Sequence, residues 1–128
     1  MLAPWRGINS AGYTSAWGCG FGTTWGCERK LTMKLHILSD LHLSVHGMPP
    51  PHTDADLVIL AGDIARPQEA IAWTLALDKP VVYVPGNHEF YGSSLQATVQ
   101  ELQRLAAGTN IHVLDHQVLE WHGVRAMV

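Results

Sequence analysis

From residue 33 onward the chain alternates two kinds of apolar pattern. Three short runs, "LHILS" (35–39), "DLVILA" (56–61) and "PVVYVP" (80–85), are rich in Val, Ile and Leu without strict alternation. Strands of a sheet with one wet face alternate apolar and polar positions, whereas unbroken apolar runs fit parallel strands covered on both faces. Between the second and third runs, "PQEAIAWTLALDK" (67–79) places Ile71 and Leu75 four apart beside small alanines, with Pro67 suited to a first helical turn. After the third, "SSLQATVQELQRLAAG" (93–108) sets Leu95, Val99, Leu102 and Leu105 on one helical face. Ser93 with Gln96 reads as a capping box there, and Gly108 as the stop. "NIHVL" (110–114) reads as a fourth strand, and "VLEWHGVRAMV" (118–128) as a hairpin turning at His122 and Gly123. The pattern predicts an α/β fold in which strands and helices alternate, with a C-terminal hairpin.

The first 32 residues have neither period. They hold six of the twelve glycines and three of the five tryptophans, together with both cysteines, Cys19 and Cys27. "GCGFG" lacks the preceding strand and following helix that a phosphate-binding glycine loop needs. Two thiols without partners at ligand spacing read as incidental rather than as a metal site or a disulfide. Residues 1–32 are therefore read as an irregular Gly/Trp-rich extension, non-native or disordered. Met33, which leads directly into a strand in "MKLHILSD", is read as the natural start of a domain over 33–128.

Composition changes this picture little. With 47% apolar and 15% charged residues the chain is of globular type. The net charge is −3; Arg6, Arg29 and Lys30 against Glu28 put +2 on the first 32 residues and leave −5 on the rest. A mildly acidic body without a basic run does not indicate nucleic acid or a membrane surface as partner, and it suits cations. No apolar run approaches the roughly 18 residues of a membrane span, and the N-terminus lacks the apolar core of a secretory signal. The expected location is cytoplasmic.

Chemistry gathers where the three apolar runs stop. Asp40 and His42 follow the first in "SDLH", Asp63 the second in "AGDI", and Asn87, His88 and Glu89 the third in "PGNHE". In a parallel sheet such residues share the carboxyl edge, where ligands collect. If strand geometry continues, Asp40 and His42, two apart, point to one side, where a carboxylate oxygen and an imidazole nitrogen can hold one divalent cation. Asp63 has two oxygens and can bridge two cations; Asn87 offers a neutral oxygen to the second. His88, facing another way, is available to substrate. A lone aspartate after a strand is most often a turn former, and a lone histidine a solvated or core side chain. Three such elements in order, each after an apolar strand, are a far rarer coincidence.

"SDLH", "LAGDIA" and "VPGNHE" resemble the first three motifs of the calcineurin-like metallophosphoesterase superfamily, over about residues 33–128. The resemblance implies the first half of a β-sandwich of mixed sheets flanked by helices. It implies two divalent metal ions, manganese, iron or zinc, with Asp40 and His42 on the first, Asp63 bridging, and Asn87 on the second. It further implies a phosphate-ester substrate, monoester or diester, attacked by a metal-bound hydroxide, with His88 stabilising the transition state or protonating the leaving oxygen and Glu89 in support.

The family pattern continues with a later Gly-His and a Gly-His-x-His, and neither occurs in this sequence. His36, His46, His52, His112, His116 and His122 are not preceded by glycine, and none is promoted to ligand. The expectation is therefore a truncated enzyme, inactive or weakly active, whose specificity depends partly on the loop at 43–54. The competing reading is a non-catalytic module of the same fold that binds a partner or a single cation. A nucleotide-binding α/β domain ranks last, because no glycine loop cradles a phosphate.

Overall fold

Each of the apolar runs forms a strand, and consecutive strands lie side by side. In a computed structural model, which describes residues 32–128, β1 (Leu35–Leu38), β2 (Leu57–Ala61), β3 (Val81–Val84) and β4 (Ile111–Val113) pair in the order β1-β2-β3-β4. All three pairings are parallel. Helix α1 (Pro67–Leu75) links β2 to β3, and α2 (Leu95–Ala106) links β3 to β4. A separate antiparallel pair, β5 (Val118–Trp121) and β6 (Val124–Met127), closes the chain. The readings made of the Gly/Trp-rich extension, Cys19 and Cys27 fall outside the described residues.

Side chains alternate between the two faces of a strand. Val58, Leu60, Val81, Tyr83, Ile111 and Val113 share one face and enter a single core with Ala70 and Ile71 of α1 and Leu102 and Ala106 of α2. Burying a side chain of this kind stabilises the fold by roughly 1.5–3 kcal/mol, so this two-layer contact carries the domain. On the opposite face Val82 is buried, and Trp121 of the hairpin, itself buried, lies 6.1 Å from the His112 ring, centroid to centroid. Burial there pushes the His112 imidazole below its usual pKa.

Details depart from the sequence reading. In α1, Ile71 is buried but Leu75 is exposed; Thr74 takes the inward place, its hydroxyl donating to the Ala70 carbonyl at 2.6 Å so that no polar group is left bare. That helix ends at Leu75 rather than continuing toward Lys79, because Leu77 and Asp78 donate to Thr74 and Leu75 in tight terminal turns. The cap of α2 is Ser94, not Ser93: its Oγ accepts from the Ala97 amide at 3.1 Å. The inward face of α2 is Thr98, Leu102 and Ala106, with Leu105 packed at its side and Leu95 left exposed. Among the described residues no helix is long and apolar enough to cross a membrane.

Candidate functional site

The polar residues beyond β1, β2 and β3 meet because three loops are tied together by hydrogen bonds, the first two backbone to backbone and the third through side chains. Past the end of β1 the chain keeps to the side of the β2 loop: the Asp40 amide donates to the Gly62 carbonyl (3.1 Å), His42 to Asp63 (3.0 Å) and Leu43 to Ile64 (2.8 Å). The β3 loop joins through side chains, with the His88 amide donating to Asp63 Oδ1 at 2.9 Å. Gly86 makes this approach possible. A Cβ there would collide with the Asp63 carboxylate and come within 2.5 Å of its amide nitrogen.

Strand geometry does not continue through "SDLH", contrary to the sequence expectation. Asp40, His42 and Asp63 all adopt left-handed backbone, with φ of 54°, 45° and 56°. The loop nevertheless brings the Asp40 carboxylate to 4.0 Å from His42 Nε2. The tightest group is His42, Asp63 and His88, each offering one ligand atom, all within 4.8 Å of one another. His88 thus shares the cluster with the residues expected to hold metal instead of facing away. Its ring meets that of His42 edge-on at 4.6 Å, and that of Tyr91 at 4.9 Å. Asn87 lies at the border: its amide end is 3.2 Å from both Asp63 oxygens. With nitrogen inward, that amide donates to both oxygens. With oxygen inward, three oxygens converge, and only a cation between them makes that arrangement favourable. Carboxylate, imidazole and amide oxygen donors together fit first-row divalent cations, so the residues present fit the implied metal.

Beneath the cluster sits the residue that sequence reasoning set aside as support. Glu89 is 3% exposed. Its Oε2 accepts from the amides of Asp63 (3.1 Å) and Gly86 (3.0 Å), and its Oε1 from the Ile64 amide (2.8 Å) and the Tyr83 hydroxyl (2.9 Å). One carboxylate therefore clamps the loop after β2 to the loop after β3. Burial, reinforced by the Glu89 charge, raises the Tyr83 phenol far above its usual pKa and keeps it a neutral donor. The available signal was Tyr83 itself, since a buried tyrosine needs a partner for its hydroxyl.

The cluster opens into a groove of about 160 Å³, also lined by Ser44, Arg66 and Tyr91. A larger concavity of about 370 Å³, lined by apolar residues such as Val84, Phe90 and Leu114, contains none of the expected site residues.

The model of the calcineurin-like phosphoesterase superfamily domain matches residues 33–128. The acyl-carrier-protein phosphodiesterase PptH of Mycobacterium tuberculosis is 37% identical over 67 residues, a match covering 44% of this chain and 21% of that protein. The match therefore spans about a fifth of that relative's length. No solved structure matches the chain. With strands, loops and clustered side chains all inside the matched span, the chain belongs to the calcineurin-like phosphoesterase superfamily.

Proposed function

We propose that this chain carries the centre of a metal-dependent phosphoesterase acting on a phosphodiester. The observation that carries the reading is the convergence of His42, Asp63 and His88 within 4.8 Å at the carboxyl edge of three adjacent parallel strands. The name of the mycobacterial relative, a phosphodiesterase, supports a diester over a monoester.

Asp40 and His42 would hold one divalent cation, Asp63 would face two, and Asn87 would turn its oxygen toward the second. When bound, such cations supply charge neutralisation at the phosphoryl oxygens and acidify the attacking water. The chain's own residues provide orientation. Asp63 is fixed at its amide by Glu89 and at its Oδ1 by the His88 amide, so its carboxylate is set before any ligand arrives. The His88 ring, restrained between His42 and Tyr91, presents an imidazole nitrogen to the phosphoryl group and hands a proton to the departing oxygen.

Calorimetric titration with Mn²⁺ and hydrolysis of bis(p-nitrophenyl) phosphate test this reading. Asp63→Asn is expected to weaken Mn²⁺ binding by at least about tenfold and hydrolysis by about a hundredfold. His88→Ala is expected to lower turnover by about 10²–10³ and, because His88 offers one of the three clustered ligand atoms, to weaken Mn²⁺ binding as well, though less than Asp63→Asn does. Hydrolysis unaffected by Asp63→Asn would refute the assignment. Mn²⁺ binding without hydrolysis of any ester would favour the alternative, a cation-binding module of the same fold.

A further inference from the structure

The groove at the cluster continues beyond it. Its wall residues Arg66 and Tyr91 also line a second groove of about 300 Å³, bounded by the first turns of α1 and α2 and including polar Gln68, Ser93, Thr98 and Glu101. A ligand seated against His88 therefore has a path for one arm past Arg66 and Tyr91. A simple monoester has no arm to place there.

The chemistry of the shared wall suits an anion. Arg66 makes no ion pair among the described residues. The acids nearby are engaged elsewhere: Glu69 accepts the Ser44 hydroxyl at 2.5 Å, Glu101 is gripped twice by Arg104, at 2.7 and 2.8 Å, and Glu89, which also lines the second groove, accepts four hydrogen bonds. The Arg66 backbone is fixed, its amide donating to Ser44 Oγ at 3.3 Å and its carbonyl accepting from the Ala70 amide at 2.8 Å. Its guanidinium, exposed and without an ion pair among the described residues, offers the fork geometry that binds two phosphate oxygens at once. Tyr91, which lines the same two grooves, is 66% exposed, and its ring lies 4.9 Å from the His88 imidazole in a T-shaped contact.

We propose that Arg66 and Tyr91 form a second subsite, which takes a phosphate carried on one arm of the diester; the preferred substrate is a diester with a second phosphate. The proposal rests on the phosphoesterase reading of the neighbouring centre, and its test separates the two.

Two chromogenic diesters differ only in the group at issue: thymidine 5′-(p-nitrophenyl phosphate) and the same ester bearing a 3′-phosphate. With Mn²⁺ supplied, the intact chain is expected to prefer the 3′-phosphorylated ester by about tenfold in kcat/KM, the worth of one charge-assisted contact. The preference should lie in KM, collapse to about onefold in Arg66→Gln and return in part in Arg66→Lys. A parallel titration without metal, followed by ¹H–¹⁵N NMR, compares thymidine 3′,5′-bisphosphate with thymidine 5′-monophosphate. The bisphosphate should shift the Arg66 Nε and Tyr91 amide signals at lower concentration than the monophosphate, and Arg66→Gln should abolish the difference. A preference unchanged in Arg66→Gln, or equal behaviour of the paired ligands with the parent chain, overturns the subsite. Loss of hydrolysis with retention of the Arg66-dependent shifts defeats the catalytic reading and leaves the subsite standing.

Discussion

The hairpin turn and the loops beyond β1 and β2 share one uncommon backbone feature. His122 and Gly123 at the turn have φ of 47° and 81°, and Asp40, His42 and Asp63 in the loops have φ of 54°, 45° and 56°. A side chain in this region costs about 1–2 kcal/mol per residue. At the hairpin the conformation is a local matter: a two-residue turn between twisted antiparallel strands requires it, and the Trp121–Val124 pair closes the ladder on either side. At the loops nothing local requires it. There the strain is held by bonds from distant segments, from Asp40 to Gly62, His42 to Asp63, and Asp63 to Glu89. Strain imposed by neighbours in sequence is a turn; strain imposed by neighbours in space marks a place where side chains are being aimed.

The sharpest way to break that distinction is Glu89→Gln. A glutamine amide placed with nitrogen at the Oε2 position faces the Asp63 and Gly86 amides; placed at Oε1 it faces the Ile64 amide. Either way a buried donor loses its acceptor, so stability in urea should fall by about 2–4 kcal/mol, and Mn²⁺ binding should weaken with it. A loss under 1 kcal/mol would show that Glu89 is not the clamp. Gly86→Ala comes next. The new Cβ must push Asp63 aside, at an expected cost of about 1–3 kcal/mol, and the ¹H–¹⁵N signals of the Asp63 and His88 amides should move most. Tyr83→Phe removes one of the four donors to Glu89 and should cost about 1 kcal/mol in urea unfolding while hydrolysis persists; loss of all hydrolysis would give the phenol a larger role. His122→Asn is the smallest change. Asparagine tolerates this backbone better at the first position of such a turn but gives up the T-shaped contact of the His122 ring with Trp121 (4.8 Å), so stability should change by no more than about 1 kcal/mol without altering Mn²⁺ affinity. A fall in Mn²⁺ affinity there would tie the hairpin to the site and undo the contrast.

Much of the architecture was legible because its signals are local. "VVYV" reports burial on both faces through composition alone, whereas "LHIL", read the same way, forms an edge strand that leaves Leu35 and Ile37 exposed; His122–Gly123 between Trp121 and Val124 reports a hairpin turn. Helix caps and faces were harder. Ser93 and Ser94 are chemically the same, and only the path of the chain decides which meets the Ala97 amide. The choice of Thr74 over Leu75 as the inward residue depends on how α1 rolls on the sheet.

The sequence by itself determined which residues could do chemistry and at which edge of the sheet they would stand, since strand ends and polar tripeptides follow one another along the chain. Tertiary structure alone decided how they meet. It turned "SDLH" out of strand geometry, drew His88 into the cluster with His42 and Asp63, and buried Glu89 as the acceptor of four bonds. The physical reason is that each outcome depends at least in part on partners 20 or more residues away, as the Asp63 and Ile64 amides are from Glu89. Hydrogen-bond partners across a sheet edge leave no pattern in the sequence, whereas burial along a strand leaves an apolar run.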